Sequence, residues 1–488
     1  VDLIIKQKDA VDLVIDCERS VAKELSQYFT FYVPNYQHTP AYKRKIWDGR
    51  IRLFNLYTHT IYAGLLKYIK QFAEDRKYSI DVDSENLTST NEVSLDEFKS
   101  YIESLKLKLK PHPHQLIACY HSINKNRALL LSPTGSGKSL ILYILMRYHM
   151  EYIGEGEKIL VIVPTVGLVN QLIDDFRTYT QDGWITDDNV HTVFSGREKQ
   201  TAKKIVVSTW QSMYNMPNEY FTDFSVVFGD ECHLFKSKSL VSLMTKLKNA
   251  HHRIGMTGTL DGTKTHKLVI EGLFGPVFNV TSTKALIDKN LLSDVKIECI
   301  TLTYDKEICT SNKRITYQDE IKFIIGNQKR NEFISKLCLN LEGNTLVLFN
   351  YVELHGKVLY EMLNATDRKI FFIHGGTDAT LREEIRKIVN TEKNAILVAS
   401  FGTCSTGVNI PNIDNVVFAS PSKSVIRVLQ SIGRGLRKSK NNSITKIYDI
   451  SDDLSYKSYR NHTLNHMDER LKIYNKERFP YTVIKVKI

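Results

Sequence analysis

The sequence lacks any run of about 18 apolar residues, the length a membrane-crossing helix needs, so no span is expected. It has no heptad pattern, no short repeat and no low-complexity tract, which argues against coiled-coil, solenoid and tail-like architectures. Its seven cysteines are Cys17, Cys119, Cys232, Cys299, Cys309, Cys338 and Cys404. None falls in a CxxC pair and no histidine cluster accompanies them. A zinc site and a disulfide framework are therefore both disfavoured, and a reducing cytoplasm fits best. The first residues, Val1, Asp2 and Leu3, lack the basic-then-apolar layout of a signal peptide. They also lack an initiator methionine, so a trimmed start is expected.

What is present is a long, basic chain. At 488 residues it exceeds one ordinary core, and about two to four domains are expected. An apolar content of 42% and a charged content of 25% are those of a folded globular protein. A net charge of +12 favours a polyanionic partner, most often nucleic acid.

Residues 1–93 read as a small α/β domain. Asp12–Asp16 and Arg50–Phe54 look like strands, and 19–29 has helical spacing. In 65–78, Leu65, Ile69, Phe72 and Ala73 share one helical face. The polar stretch 83–93 reads as a linker. Ser94 and Glu97 then form a capping box before a helix carrying Phe98, Ile102 and Leu105. From about residue 111 the pattern changes to short apolar runs alternating with helices: 128–131, 158–163, 204–209 and 224–229. A second series follows at 344–350, 369–374, 395–400, 415–420 and 446–450. Buried parallel strands covered by helices on both faces read this way. The expected fold is α/β, with two tandem parallel-sheet lobes at 94–281 and 282–455 after the small N-terminal domain. A basic helical extension is expected at 456–488.

Residues 132–139, S-P-T-G-S-G-K-S, end as a phosphate loop does, although the first position is Ser132 rather than glycine. Gly135 and Gly137 let the backbone curl so that its N–H groups face phosphates, and the following helix adds its positive end. The loop positions Pro133, Thr134, Gly135, Ser136 and Gly137 are candidate nucleotide contacts. Lys138 is placed at the β- and γ-phosphates and Ser139 on Mg²⁺. Asp230 and Glu231, closing the apolar run Phe224–Phe228, sit where a doubly wound sheet binds its ligand. Asp230 is the second candidate Mg²⁺ contact, and Glu231 the residue that orients and deprotonates the attacking water. Arg434 and Arg437 share a helical face, and Gln430 precedes them. An arginine brought to the γ-phosphate is worth a rate factor on the order of 10³ or more. Such arginines in the second lobe reach ATP only when the lobes close, which couples hydrolysis to motion.

The ordered set over residues 111–450 resembles the superfamily-two helicases, whose lobes are RecA-like. It comprises P-H-P-H-Q (111–115), the phosphate loop, P-T-V-G-L-V-N-Q (164–171), S-T-W-Q-S (208–212), D-E-C-H (230–233) and T-G-T (257–259). I-H-G-G (373–376), S-T-G-V-N-I-P (405–411) and Q-S-I-G-R-G-L-R (430–437) follow. The resemblance implies that Gln115 reads adenine, that His233 and Gln430 belong to the nucleotide site, and that T-G-T couples hydrolysis to strand contacts. The sequence departs from the DEAD-box RNA helicases at D-E-C-H, at T-G-T and at Gln430. It is similar, nearly end to end, to the UvsW-type branched-DNA helicases of T-even phages, including I-W-D-G-R-I-R-L-F (46–54). That similarity implies an ATP- and Mg²⁺-dependent enzyme. It also implies forks, Holliday junctions and RNA-containing loops as substrates, and roles in recombination, repair and replication restart.

Candidate nucleic-acid contacts in the motor are Thr165, Ser208, Thr209 and Thr406, whose hydroxyls can grip backbone oxygens without reading sequence. Capping is their structural alternative. In the N-terminal domain, Arg44, Trp47 and Arg50 lie in a run of interleaved aromatic and basic residues, Y-K-R-K-I-W-D-G-R-I-R. Asp48-Gly49 signals a hairpin turn that would put Trp47 near a loop tip. Burial of Trp47 in a small core stays open beside that reading. The tyrosine-rich stretch 455–479 either touches DNA or docks on the second lobe. His462 and His466 fall on one helical face, but no third metal ligand is evident. An RNA helicase, a nucleotide-gated DNA-remodelling scaffold and the motor subunit of a restriction complex remain alternatives.

Overall fold

The computed structural model describes residues 1–82, 93–179, 181–194, 196–260, 262–364, 368–405, 412–421, 424 and 444–488. The chain divides into two compact units: Val1–Ser132 with Gly137–Val280, and Thr281–Ile488 with the short segment Pro133–Ser136.

The first unit contains a seven-stranded parallel sheet. Its order is Val190–Val193, Ile205–Thr209, Lys158–Val163, Phe224–Gly229, His252–Thr257, Arg127–Leu131, Val277–Asn279. Its middle strands read as unbroken apolar runs because both faces are covered. Along Lys158–Val163, Leu160 and Ile162 join one buried cluster, while Ile159, Val161 and Val163 join the other. Alternate residues thus serve opposite layers, as a two-residue pleat requires.

The N-terminal residues form a five-stranded sheet in the order Phe54–Asn55, Thr60–Tyr62, Asp12–Cys17, Leu3–Gln7, Ile80–Val82. Leu13 and Ile15 are buried against the helices Arg19–Tyr28 and Leu66–Arg76. This core is continuous with one face of the parallel sheet. The join is close-packed. A Cβ at Gly64 would lie 2.0 Å from the Glu271 carbonyl oxygen, and one at Gly272 would lie 2.8 Å from the Tyr62 ring. The buried Glu271 carboxylate accepts from the Tyr68 hydroxyl at 2.6 Å and from the Val277 N–H at 2.9 Å.

The expected strand 50–54 is two short strands in different sheets. Arg50–Arg52 pairs with Thr30–Tyr32, and Phe54–Asn55 with Thr60–Tyr62. Residues 33–49 lie between the partners of the first pair, so Asp48-Gly49 does not close a tight hairpin. Instead, the Asp48 carboxylate accepts from the Arg50 N–H at 3.1 Å and pairs with Arg52.

The second unit holds another seven-stranded parallel sheet. Its order is Ile370–Ile373, Ile396–Ser400, Thr345–Phe349, Asn415–Phe418, Thr445–Asp453, Val295–Thr303, Tyr481–Lys487. The architecture is two tandem RecA-like lobes and a small N-terminal α/β domain. The C-terminal stretch, read as helical, is a helix followed by a strand. Helix His462–Glu477 leads into Tyr481–Lys487, which pairs with Val295–Thr303. Buried polar groups tie that helix down. Glu320 accepts from the N–H groups of His462 at 2.9 Å and Thr463 at 2.7 Å, serving as the helix's missing cap. Asp449 accepts from Arg470 Nε at 2.8 Å and from the Tyr474 hydroxyl at 2.8 Å. His466 lies against the Tyr317 ring, with centroids 5.3 Å apart.

Candidate active site

Strand Arg127–Leu131 delivers the chain to Ser132, whose N–H donates to the Thr257 carbonyl at 2.9 Å. The loop then turns on two left-handed residues, Gly135 at φ +84° and Gly137 at φ +82°. Any side chain at 137 is also excluded by space, since a Cβ would lie 2.1 Å from Gln115 Nε2. Gln115 is 3% exposed. It donates to the Gly137 carbonyl at 3.4 Å and accepts from the His112 N–H at 2.8 Å. Ser136 Oγ donates to the Pro133 carbonyl at 2.7 Å, closing the turn that carries Thr134. Helix Lys138–Tyr152 starts at once, so its first N–H groups stay available for an anion. Lys138 Nζ donates to the Ser132 carbonyl at 3.2 Å. The Ser139 hydroxyl meets that of Tyr179 at 2.7 Å.

The acidic pair follows the central strand Phe224–Gly229. Asp230 extends the sheet by donating its N–H to the Ile162 carbonyl at 2.9 Å. Its own Oδ1 accepts from the Glu231 N–H at 2.9 Å. Burial first, and then the Glu231 carboxylate, push the Asp230 carboxyl up to about 6, while Lys138 pulls the other way. A desolvated carboxylate beside a second one is a charge excess that a divalent cation relieves. The donor set of Ser139 and Asp230 therefore fits Mg²⁺, a hard cation that takes oxygen ligands.

Glu231 occupies the left-handed region at φ +51°. Its Oε2 lies 3.3 Å from His233 Nδ1, which is also 3.1 Å from Thr257 Oγ1. Thr257 Oγ1 donates to the Thr259 carbonyl at 3.0 Å. Its proton is thus committed, so it accepts from His233, and Nδ1 must carry the imidazole proton. A line of polar contacts runs from Glu231 to the T-G-T segment: a 3.3 Å approach of carboxylate to imidazole, then hydrogen bonds from His233 to Thr257 and from Thr257 to Thr259. The sequence marked both ends of that path, but the tautomer follows only from the geometry.

The other expected contacts are scattered. Thr165 Oγ1 accepts from the Leu168 N–H at 3.3 Å, an N-cap for helix Val166–Tyr179. Ser208 has no exposed surface, and its hydroxyl donates to the Val193 carbonyl at 2.9 Å. That places it inside the lobe, holding two strands together, rather than on a strand-gripping surface. Thr209 is 4% exposed, with its hydroxyl 3.0 Å from that of Ser212. Arg44 is exposed. Trp47 is half-buried and its indole N–H donates to the Arg50 carbonyl at 2.9 Å. It is therefore pinned beside the ribbon. The Arg50 guanidinium stacks on Tyr32, 4.6 Å from the ring centroid. Tyr32 in turn stacks on Tyr36, with centroids 4.7 Å apart. Thr406, Gln430, Arg434 and Arg437 lie outside the described residues. Tyr179 carried no signal in the sequence beyond its place at the end of an apolar-periodic segment.

Among the described residues, no group of three or more His, Cys, Asp and Glu side chains converges as a metal cluster. No described helix is long and apolar enough to cross a membrane.

Three family models match the chain. "DNA helicase UvsW, N-terminal" covers residues 2–83. "Type III restriction enzyme, res subunit" covers 60–262, and "Helicase conserved C-terminal domain" covers 328–439. The ATP-dependent DNA helicase uvsW of Enterobacteria phage T4 is 33% identical, over 99% of this chain and 99% of that protein. The crystal structure of T4 UvsW aligns with a TM-score of 0.54 at 31% identity, covering both chains completely. An ATP-dependent Type ISP restriction-modification enzyme bound to DNA aligns at a TM-score of 0.56 over 85% of this chain and 34% of its own. At 16% identity that match speaks to the fold alone.

Proposed function

The chain belongs to the UvsW family of ATP-dependent DNA helicases, and from that premise we propose that it unwinds or branch-migrates branched DNA. Its substrates are replication forks, Holliday junctions and RNA–DNA loops, and its setting is recombination, repair and replication restart in the cytoplasm. It is an ATP-hydrolysing helicase. The finer substrate reading draws on similarity that runs the whole length of the chain, the N-terminal domain included.

In this reading the loop N–H groups and Lys138 hold the triphosphate. Ser139 and Asp230 bind Mg²⁺, which supplies charge neutralisation at the phosphates. Glu231 orients the attacking water and takes its proton. Its left-handed backbone accompanies a carboxylate that lies 3.3 Å from His233 Nδ1. Gln115 braces the loop from behind and reads the base. Arg434 and Arg437, with Gln430, are assigned the γ-phosphate charge of the transition state. Thr165, Thr209 and Thr406 contact the strand, with Ser208 shaping the surface from within. Arg44, Trp47 and Arg50 contact the duplex beside the junction. The observation that supports the reading is the line of polar contacts Glu231–His233–Thr257–Thr259, which joins the carboxylate assigned to hydrolysis to the buried T-G-T segment.

The test compares ATPase and strand separation on single strand, duplex, fork, four-way junction and RNA–DNA loop. Branched DNA is expected to stimulate most, and Lys138→Ala to bind forks normally while losing at least about a hundredfold in hydrolysis. Stimulation by RNA but not by branched DNA, or nucleotide-dependent binding without strand separation by the wild type, overturns the proposal.

A further inference from the structure

One polar contact at the phosphate loop has no place in the mechanism above. The hydroxyls of Ser139 and Tyr179 are 2.7 Å apart. Tyr179 is the last residue of helix Val166–Tyr179 and is 7% exposed. Its position is fixed from several sides. Its carbonyl accepts from the Lys108 N–H at 2.8 Å. Its ring stands edge-on to Tyr143, with centroids 5.5 Å apart at 69°. Tyr143 is fully buried and stands edge-on to Trp184 as well. The Tyr143 hydroxyl accepts from Arg147 at 2.7 Å, and Arg147 is paired with Asp182 at 2.7 Å. Ser139, Tyr143 and Arg147 are spaced i, i+4 and i+8, so one face of helix Lys138–Tyr152 carries the whole set. A phenol held this way cannot swing aside without unpacking its neighbours.

We propose that Tyr179 is a positioning residue for the metal: its phenol oxygen accepts the Ser139 hydroxyl proton, so that the serine oxygen turns its lone pairs toward Mg²⁺. The inference rests on the reading of Ser139 as a magnesium ligand. The chemistry is that of any alcohol on a dication. Coordination draws electron density from the oxygen, sharpens the O–H as a donor, and makes an acceptor on the far side worth more when metal is bound than when it is absent. Among the described residues the Tyr179 hydroxyl is the hydrogen-bond partner of the Ser139 side chain, and either oxygen can be the donor until a metal draws on the serine. The tyrosine ends the helix Val166–Tyr179, which is N-capped by Thr165, a candidate strand contact. The same helix thus joins a candidate nucleic-acid contact at its N-cap to a metal-positioning group in its last turn.

Tyr179→Phe removes one oxygen and keeps the ring. In the full-length protein, the Mg²⁺ concentration for half-maximal binding of a fluorescent ATP analogue should rise about three- to tenfold, the range a charge-assisted hydrogen bond supports. Binding of the analogue in excess chelator should stay at the wild-type value, as should the melting midpoint without nucleotide. Ser139→Ala should show a larger rise, and adding Tyr179→Phe to it should change nothing further. Wild-type Mg²⁺ dependence in Tyr179→Phe, with Ser139→Ala impaired, overturns the role of Tyr179 alone. An equal loss of binding with and without Mg²⁺ also overturns it, since that marks packing. If Ser139→Ala itself keeps the wild-type Mg²⁺ dependence, the assignment of the metal site falls and takes the inference with it.

Discussion

Glu231 illustrates how a single residue is shaped by its neighbours. A left-handed backbone at a non-glycine position costs on the order of 1 kcal/mol, and it persists where the surroundings hold it. Here the neighbouring groups are the Asp230 carboxylate, which takes the Glu231 N–H, and His233, whose Nδ1 lies 3.3 Å from the Glu231 carboxylate. Thr257 sets the tautomer of that histidine. Thr257→Val keeps the shape of the side chain and deletes the oxygen that accepts from His233. Basal ATPase is expected to fall by less than about tenfold, because Glu231 and the phosphate loop remain. Strand separation per ATP hydrolysed is expected to fall by more than the ATPase does. Measuring both rates on one fork substrate checks this, and equal losses would show that Thr257 serves hydrolysis alone.

Among the elements, helix Lys138–Tyr152 does two jobs at its two ends. Its first turn offers N–H groups at the phosphate loop. Its last turn buries His149 against His252, with ring centroids 4.5 Å apart. His149 Nε2 and His252 Nδ1 are buried and have no hydrogen-bond partner among the described residues. Burial first, then His251 and Arg127, push His252 down to about 4. Burial drives His149 well below its ordinary value too, with His252 adding to the effect. An unfolded histidine titrates near 6.5. Below that pH the unfolded chain binds protons that the folded pair refuses, so stability is full above about 6.5 and is lost as pH falls toward 4. The His252 shift accounts for roughly 3 kcal/mol of that loss by pH 4. Urea midpoints measured from pH 7.5 to 4.5 should decline, and His252→Leu should flatten part of the slope. A slope unchanged by that substitution would assign the acid sensitivity elsewhere.

Taken whole, the N-terminal domain belongs structurally to the first lobe. Arg253 is fully buried and gives its guanidinium to the carbonyls of Leu273, Leu247, Met244 and Ala10, at 2.8, 3.1, 2.7 and 3.4 Å. Arg127 reaches the same Ala10 carbonyl, and the Ala10 N–H donates to Lys248 at 2.8 Å. One turn of the N-terminal sheet is thus gripped by the motor lobe at both of its peptide groups. Helix Lys264–Phe274 packs against Tyr62 and Gly64 from the other side of the join. Deleting residues 1–82 therefore bares an apolar layer and strands charged donors. The shortened chain is expected to aggregate, as judged by gel filtration after expression. A soluble, monomeric truncated motor would show that the domain is an independent appendage.

Much was legible in the sequence where one short segment carries the physics. Gly135 and Gly137 need positive φ, the Ser94–Glu97 capping box forms as spaced, and the central strands are apolar throughout because helices cover both faces. The membership and order of the motifs were likewise local facts. What the sequence could not carry was pairing over distance. Val295–Thr303 and Tyr481–Lys487 become neighbours only once the second sheet forms. Ser208 turns inward because Val193 offers it a carbonyl, and Asp48-Gly49 fails to make a hairpin because Arg50–Arg52 finds Thr30–Tyr32 instead. Local sequence determined which chemical groups stand in the glycine-rich loop and the acidic pair. Tertiary structure decided which proton each of them holds, because a hydroxyl or imidazole donates according to the partner that packing sets against it.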